Sequence, residues 1–333
     1  MIKKILLILV LNLVFIFSNN LIFAEQNTDC EQLNGLDEYI NETMADWNVP
    51  GMAIAIVKDG KAIYMKGFGY RDLDKKLEVT AETIFAIGSD SKAFTSAALG
   101  ILVDEGKLDL DKPIKNYMPE FKLKKDYATD HVTPRDLLLH ITGISRNDAI
   151  LTNTPYNREE LVSKLQYLKP FAEMRTKWRY NNFMYVTLGY LIEKITGKTW
   201  EEFVQEKILN PLDMKSTNFS VTESQKSDNY SLPYEVTEKG SKVINFANAD
   251  SIGPAGSINS NVVDMSKWLI LNLNEGKYND KQIVSEEMME EIHTPQFFIS
   301  DKIKFEGLYY DSYALAWGAN NYKGHRLLRH DGE

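Results

Sequence analysis

Ser89-Asp90-Ser91-Lys92 places a hydroxyl and an amine three residues apart, where a run of helically spaced apolar residues begins. On a helix that separation puts both side chains on one face. A serine hydroxyl is a poor nucleophile until a neighbouring base takes its proton. Lysine can be that base if burial and nearby cations lower its pKa. The free N–H groups at a helix start also favour developing negative charge. S-x-x-K is a weak signal alone, but it occurs once in this chain and is introduced by Ile84-Phe85-Ala86-Ile87-Gly88.

Two further triplets carry usable chemistry. In Tyr180-Asn181-Asn182 a phenol can pass protons, and the Asn182 amide can hold both a lysine and a substrate carbonyl. The competing reading of Tyr180 is a core aromatic beside Trp178 and Phe183. Tyr39-Ile40-Asn41 has the same Y-x-N spacing but precedes Ser89 in a polar helix, and is read as surface. In His330-Asp331-Gly332 the histidine offers a donor or a cation to a substrate carboxylate, and the glycine lets a strand edge approach a ligand closely. The competing reading is an exposed turn at a chain end.

The remaining histidines, His131, His140, His293 and His325, lack metal-ligand spacing, and His140 is read as packed structure. No Gly-rich phosphate loop is present. The expectation is therefore a site with no metal and no cofactor. Cys30 is the sole cysteine, so an intrachain disulfide is impossible, and it is read as an incidental thiol.

The elements that must position these residues follow from periodicity. The chain has 333 residues, 44% hydrophobic and 11% aromatic, enough for a large globular body. A formal net charge of −9 argues against nucleic acid as a partner. Lys3 and Lys4, the apolar run Ile5 to Phe17 and the small Ala24 have the layout of a secretory signal peptide over residues 1–24, despite Ile22 at the −3 position. The protein is thus expected to be secreted or extracytoplasmic. An uncleaved membrane anchor is the alternative, since Ile5 to Ala24 nearly reaches the ~20 apolar residues of a span.

The spacing predicts helices at Leu36 to Trp47, Ser89 to Glu105, Pro134 to His140, Arg158 to Tyr167, Met184 to Ile195, Trp200 to Leu209 and Asn261 to Leu273. Apolar runs at Gly51–Val57 and Ala62–Gly69 flank Asp59-Gly60 and predict a hairpin. Leu308–Trp317 and His325–Arg329 read as strands. Strands at both ends with helices between predict an α+β fold, with one sheet closed by both ends of the chain. The expected division is a sheet region, 25–105 with 252–333, around a helical region, 106–251.

The order S-x-x-K, Y-x-N, H-x-G resembles the β-lactamase-related serine hydrolases: class C β-lactamases, penicillin-binding D-Ala-D-Ala carboxypeptidases, D-aminopeptidases and β-lactamase-fold esterases. The flanks are similar too, at Thr83 to Gly88, Leu137 to Ile144, Gly189 to Glu193, Gly253 to Ser257 and Asp264 to Trp268. The resemblance implies an antiparallel sheet flanked by helices, plus an all-helical domain. It implies that Ser89 is acylated, that Lys92 and Tyr180 share proton transfer, and that Asn182 binds substrate amide. His330 and Gly332 would line the strand edge, and backbone N–H groups of Ser89 and Glu333 would form the oxyanion hole.

There are departures. Met174-Arg175 stands where many relatives have Pro-Gly, and His330 replaces the lysine of K-T-G, as in esterase and peptidase branches. The family continues past H-x-G with strands and a C-terminal helix, so these are expected to be missing from a sequence that stops at Glu333. The expected substrate is a small molecule or peptidoglycan peptide: a D-amino-acid peptide, an ester or a β-lactam. The competing functions are a non-catalytic penicillin-binding or sensor module and an inactive truncated paralogue.

Overall fold

A computed structural model describes residues 31–151, 153–237, 240–301 and 306–333. The leader sequence and Cys30 lie outside the described residues. Helix α1 (Leu36–Trp47) ends at Asn48, whose left-handed backbone (φ 53°) redirects the chain into β1 (Gly51–Lys58). Asp59 and Gly60, at φ 51° and 70°, turn it into β2 (Lys61–Asp72). The two strands pair antiparallel from Gly51↔Gly69 to Lys58↔Lys61. β3 (Leu77–Glu78) adds a third strand. α1 covers this sheet by packing Ile40 and Met44 on Phe68, and its first-turn Asp37 accepts from Tyr64 and Lys66.

β4 (Phe85–Ala86) leads through a 3-10 turn, Gly88–Asp90, into α2 (Ser91–Asp104). The middle of the chain supplies α3 (Asp126–His131), α4 (Pro134–Leu138), α5 (Arg158–Ser163), α6 (Asn182–Thr196), α7 (Trp200–Val204) and α8 (Val221–Ser224). Capping boxes start three of these: Thr133 with Asp136, Asn157 with Glu160, and Thr199 with Glu202.

The strands β5 (Tyr234–Thr237) and β6 (Gly240–Val243) form a hairpin, which corrects the expectation of an all-helical middle. Both strands are largely exposed and short, so no apolar alternation marks them in the sequence. The adjoining segment joins the strands rather than the helices: Tyr230 bridges Ile84, and Leu232 N–H donates to the Arg71 carbonyl at 2.9 Å.

Next come α9 (Gly253–Gly256), β7 (Asn259–Ser260), which pairs with β4, and α10 (Val262–Leu273), which packs on β1 and β2. A small hairpin, β8 (Lys277–Tyr278) and β9 (Lys281–Gln282), precedes α11 (Glu286–His293). The chain ends in an antiparallel sheet of β10 (Phe297–Ser300), β11 (Leu308–Tyr313), β12 (Gly318–Tyr322) and β13 (His325–Arg329). Among the described residues no ladder joins this sheet to β1-β2-β3, so the strands of the two chain ends form two sheets rather than the expected one.

One apolar core nevertheless runs from α2 through the middle helices to α10, α11 and Tyr313. α2 lies at its centre. Phe94 is fully buried and stacks on Trp268 with centroids 4.0 Å apart. α6 and α9 meet where a Cβ on Gly189 would lie only 2.0 Å from Cγ of Pro254. Glycine there gives up helix propensity so that two backbones can approach. We expect Gly189→Ala to lower the free energy of unfolding by about 2 kcal/mol in denaturant titrations, because overpacking at the upper end of its usual range of about 1–3 kcal/mol outweighs the gain of about 1 kcal/mol in helix propensity. Unchanged stability would mean that α6 and α9 are free to separate.

Candidate active site

Ser89 sits in the 3-10 turn and Lys92 in the first turn of α2 proper, so the nucleophile precedes the α-helix instead of lying within it. A 3-10 turn eclipses residues three apart, which brings the two side chains together. Lys92 Nζ donates to Ser89 Oγ at 2.9 Å and to the Ala255 carbonyl at 2.6 Å. The lysine is fully buried. Burial holds its amine well below the ordinary lysine range; Asp148 and Asp90 oppose that effect and Arg146 adds to it. In its neutral form the amine has a lone pair to turn towards Ser89, and the first bond can then reverse so that the hydroxyl donates.

The carbonyl that receives Lys92 is held by α2 itself. Thr95 Oγ1 donates to the Pro254 carbonyl at 2.8 Å, one residue before Ala255. Ser91 Oγ donates to Gly88 O at 2.7 Å and accepts from Ile258 N–H at 3.1 Å, pinning the turn to the chain beyond α9.

Tyr180 lies just before Asn181, whose side chain caps α6 by accepting from Phe183 N–H at 3.0 Å. Its ring covers Lys92 Nζ at 4.7 Å from the centroid. Burial pushes the phenol up to about 12, against a hydrogen bond to Ser89 that pulls it down. Tyr180 is therefore protonated at neutral pH, while burial disfavours the proton on Lys92.

Asn182 opens α6. Its Nδ2 donates to Asp148 Oδ2 at 3.2 Å, and Oδ1 has no partner among the described residues. The hydrogen bonds of Lys92 go to Ser89 and the Ala255 carbonyl, while Asp148 fixes the Asn182 amide. Asp148 also pairs with Arg146 at 2.5 Å, whose guanidinium lies 5.4 Å from the Tyr180 ring.

His330 follows β13. Its Nδ1 donates to the Asp331 carbonyl at 2.8 Å, which leaves Nε2 to accept from Tyr313 OH at 3.4 Å. Burial pushes the imidazole down to about 4, so this residue is a neutral ring at neutral pH and not the cation that its type also allowed. Gly332 has no room for a side chain: a Cβ would lie 1.9 Å from the Ile87 carbonyl oxygen. Gly88, at φ 52°, faces the Glu333 backbone in the same way, with a Cβ 2.5 Å from Glu333 N. Residues 332–333 therefore run against residues 87–88, beside Ser89.

The structure thus gathers Ser89, Lys92, Tyr180, His330, Gly332 and Glu333, with Asn182 one contact further out. It adds Ala255, Arg146 and Asp148, which the sequence reading did not single out. It also adds Asp90, whose carboxyl burial and then the charge of Asp331 push up to about 7. No residue pattern announces Ala255, because only its carbonyl is used. Arg146 and Asp148 are a charged pair two residues apart just after the Gly143-Ile144 flank, and that pairing was the available signal.

The buried amine has a thermodynamic signature. The unfolded chain binds a proton at Lys92 up to about pH 10.4. The folded chain releases that proton at lower pH, so Lys92 makes stability rise with pH across the interval between. We expect wild type to gain stability relative to Lys92→Met as pH is raised from neutrality towards about 10, read by calorimetry of both proteins across the range. Parallel melting curves would show that Lys92 keeps an ordinary affinity for its proton.

An unguisins hydrolase from Aspergillus campestris is 30% identical over 312 residues, 89% of this chain and 56% of that protein. Protein flp from Staphylococcus aureus strain MW2 is 29% identical over 247 residues, 72% of this chain and 48% of its own length. The chain thus spans about half the length of these curated relatives. The octameric penicillin-binding protein homologue from Pyrococcus abyssi superposes with a TM-score of 0.77 at 31% identity, covering 90% of this chain and 68% of that one. The sequence model described as Beta-lactamase matches residues 36–333. The chain belongs to the Beta-lactamase family of β-lactamase-related serine hydrolases.

Proposed function

We propose that this protein is an acyl-transferring serine hydrolase acting on D-amino-acid peptides, esters or β-lactams. The observation that carries the reading is the 2.9 Å contact between Ser89 Oγ and a fully buried lysine amine whose proton affinity burial lowers. Ser89 Oγ attacks the substrate carbonyl carbon while its proton passes to Lys92 Nζ. Backbone N–H groups of Ser89 and Glu333 are assigned to the oxyanion, supported by the close approach of residues 332–333 to Gly88. As the tetrahedral intermediate collapses, the bond from carbon to the leaving nitrogen or oxygen breaks. Tyr180, protonated at neutral pH, relays the proton from Lys92 to that leaving atom. Water then releases the acyl group by the same path in reverse.

Asn182, fixed by Asp148, meets the substrate amide, and His330 lines the strand side as a neutral ring. The signal-like pattern of residues 1–24 supports a site of action outside the cytoplasm, where cell-wall peptides and β-lactams are met. The printed description of the Pyrococcus abyssi relative as a penicillin-binding protein homologue supports including β-lactams.

Intact-mass spectrometry after incubation with a penicillin and with an activated ester tests this reading. A stoichiometric acyl adduct on Ser89 is expected, absent from Ser89→Ala. Lys92→Arg should lose most of the acylation rate, because a guanidinium keeps its proton. An adduct that forms and never turns over would favour a penicillin-binding sensor module. An adduct on Ser91 with Ser89 unmodified, or wild-type acylation by the arginine variant, would sink the mechanism.

A further inference from the structure

Tyr180 has no helix of its own to hold it, since α6 starts two residues later. What holds it is a single residue distant in sequence. His140 follows α4 with left-handed backbone, φ 58°. That conformation lets its carbonyl and its ring meet the same strip of chain. The His140 carbonyl accepts from Arg179 N–H at 2.9 Å, and His140 Nδ1 accepts from Asn181 N–H at 3.2 Å. Both neighbours of Tyr180 are thus tied to one residue. The imidazole also lies against the Tyr180 ring, centroids 4.6 Å apart and tilted 46°.

The rest of the clasp reinforces this. Asn181 Nδ2 donates to the carbonyls of Ile144 and Ser145, both at 3.2 Å, so the loop that begins at His140 closes around residues 179–181.

The ring is used at a cost. Accepting at Nδ1 puts the imidazole proton on Nε2, and that atom is buried without a partner among the described residues. Around the ring stand Tyr185, Tyr313 and Trp178, with centroids 5.1, 5.3 and 6.0 Å from that of His140, which supply packing. A leucine would fill such a place and leave no orphaned N–H. Burial keeps the imidazole neutral, with Lys92, His330 and Arg146 all disfavouring its protonation, so the Nδ1 lone pair stays available.

We propose that His140 is a positioning residue for the proton relay: its carbonyl and Nδ1 grip the amides on either side of Tyr180 and fix the phenol over Lys92 and Ser89. This rests on the role given to Tyr180 under the proposed hydrolase mechanism. A phenol displaced by about an ångström costs on the order of a hundredfold in rate.

The test compares His140→Asn with His140→Leu, alongside Ser89→Ala. Asparagine accepts the left-handed backbone and carries an acceptor oxygen near the place of Nδ1. Leucine offers none. The readouts are the saturating acylation rate with an activated ester, the KM, the melting temperature and hydrogen exchange of the Asn181 amide. Leucine is expected to lower the saturating rate on the order of a hundredfold with KM little changed. It should also deprotect the Asn181 amide, while asparagine restores most of both.

If His140→Leu does not fold, His140→Gly, which suits positive φ and also lacks the acceptor, takes its place. A folded leucine or glycine variant that acylates at the wild-type rate overturns the proposal. So does an asparagine variant as impaired as the leucine one. If wild type itself fails to acylate, or Ser89→Ala acylates as well as wild type, the hydrolase reading fails. Protection of the Asn181 amide across the variants then decides the clasp on its own.

Discussion

An amine with no exposure to water is the constraint around which this molecule is arranged. A buried ammonium is expensive, so the Lys92 side chain must shed its proton, find acceptors, or both. Its acceptors are one hydroxyl and one carbonyl, Ser89 Oγ and Ala255 O. The carbonyl is available only because α9 is pressed against α2 and α6. That contact depends on Gly189 having no side chain to meet Pro254, and on Thr95 taking the preceding carbonyl. Helix packing and catalytic readiness are therefore one arrangement: the packing that orders the core also buries the amine and lowers its affinity for a proton.

The remaining site groups are placed by backbone more than by side-chain packing. Gly332 and Gly88 let the end of the described chain lie against residues 87–88 with no Cβ between. Gly143, at φ 75°, allows a similar approach to Ala172, while Arg175 N–H donates to Ile141 O and its guanidinium pairs with Asp136. The Met174-Arg175 departure from the relatives' Pro-Gly is thus accommodated by an ion pair that ties the loop back to α4. Charge around Ser89 is mixed. Asp90 and Asp148 favour a proton on Lys92 and Arg146 disfavours it, with burial the stronger influence.

Much of this was legible in the sequence because it is periodic or local. Leu36–Trp47 and the Asp59-Gly60 hairpin follow from spacing and turn chemistry, and Ser89 with Lys92 from a motif on a buried helix. What was not legible depends on contacts distant in sequence. The Ala255 carbonyl leaves no trace in residue type. Asn182 was read as a group for substrate and lysine because its amide permits both, and only the fold shows Asp148 accepting from that amide. His140 was read as packing, which is true of its ring and silent about Nδ1. The exposed hairpin at Tyr234–Val243 escaped because its strands bury too little to impose an alternation. That two sheets form in place of one was beyond reach of periodicity, which marks strands but not their neighbours.

The single core beneath Ser89 has a mechanical meaning. Side chains from α2, α6, α10, α11 and Tyr313 belong to one packed apolar cluster, apart from the smaller cluster of Ile40, Met44 and Phe68 under α1, so the helices that carry Lys92 and Asn182 share one core. Lys92 is buried on α2, whose apolar residues belong to that core, so loss of the Ser89–Lys92 contact is expected to track the melting of α2 rather than the movement of a hinge.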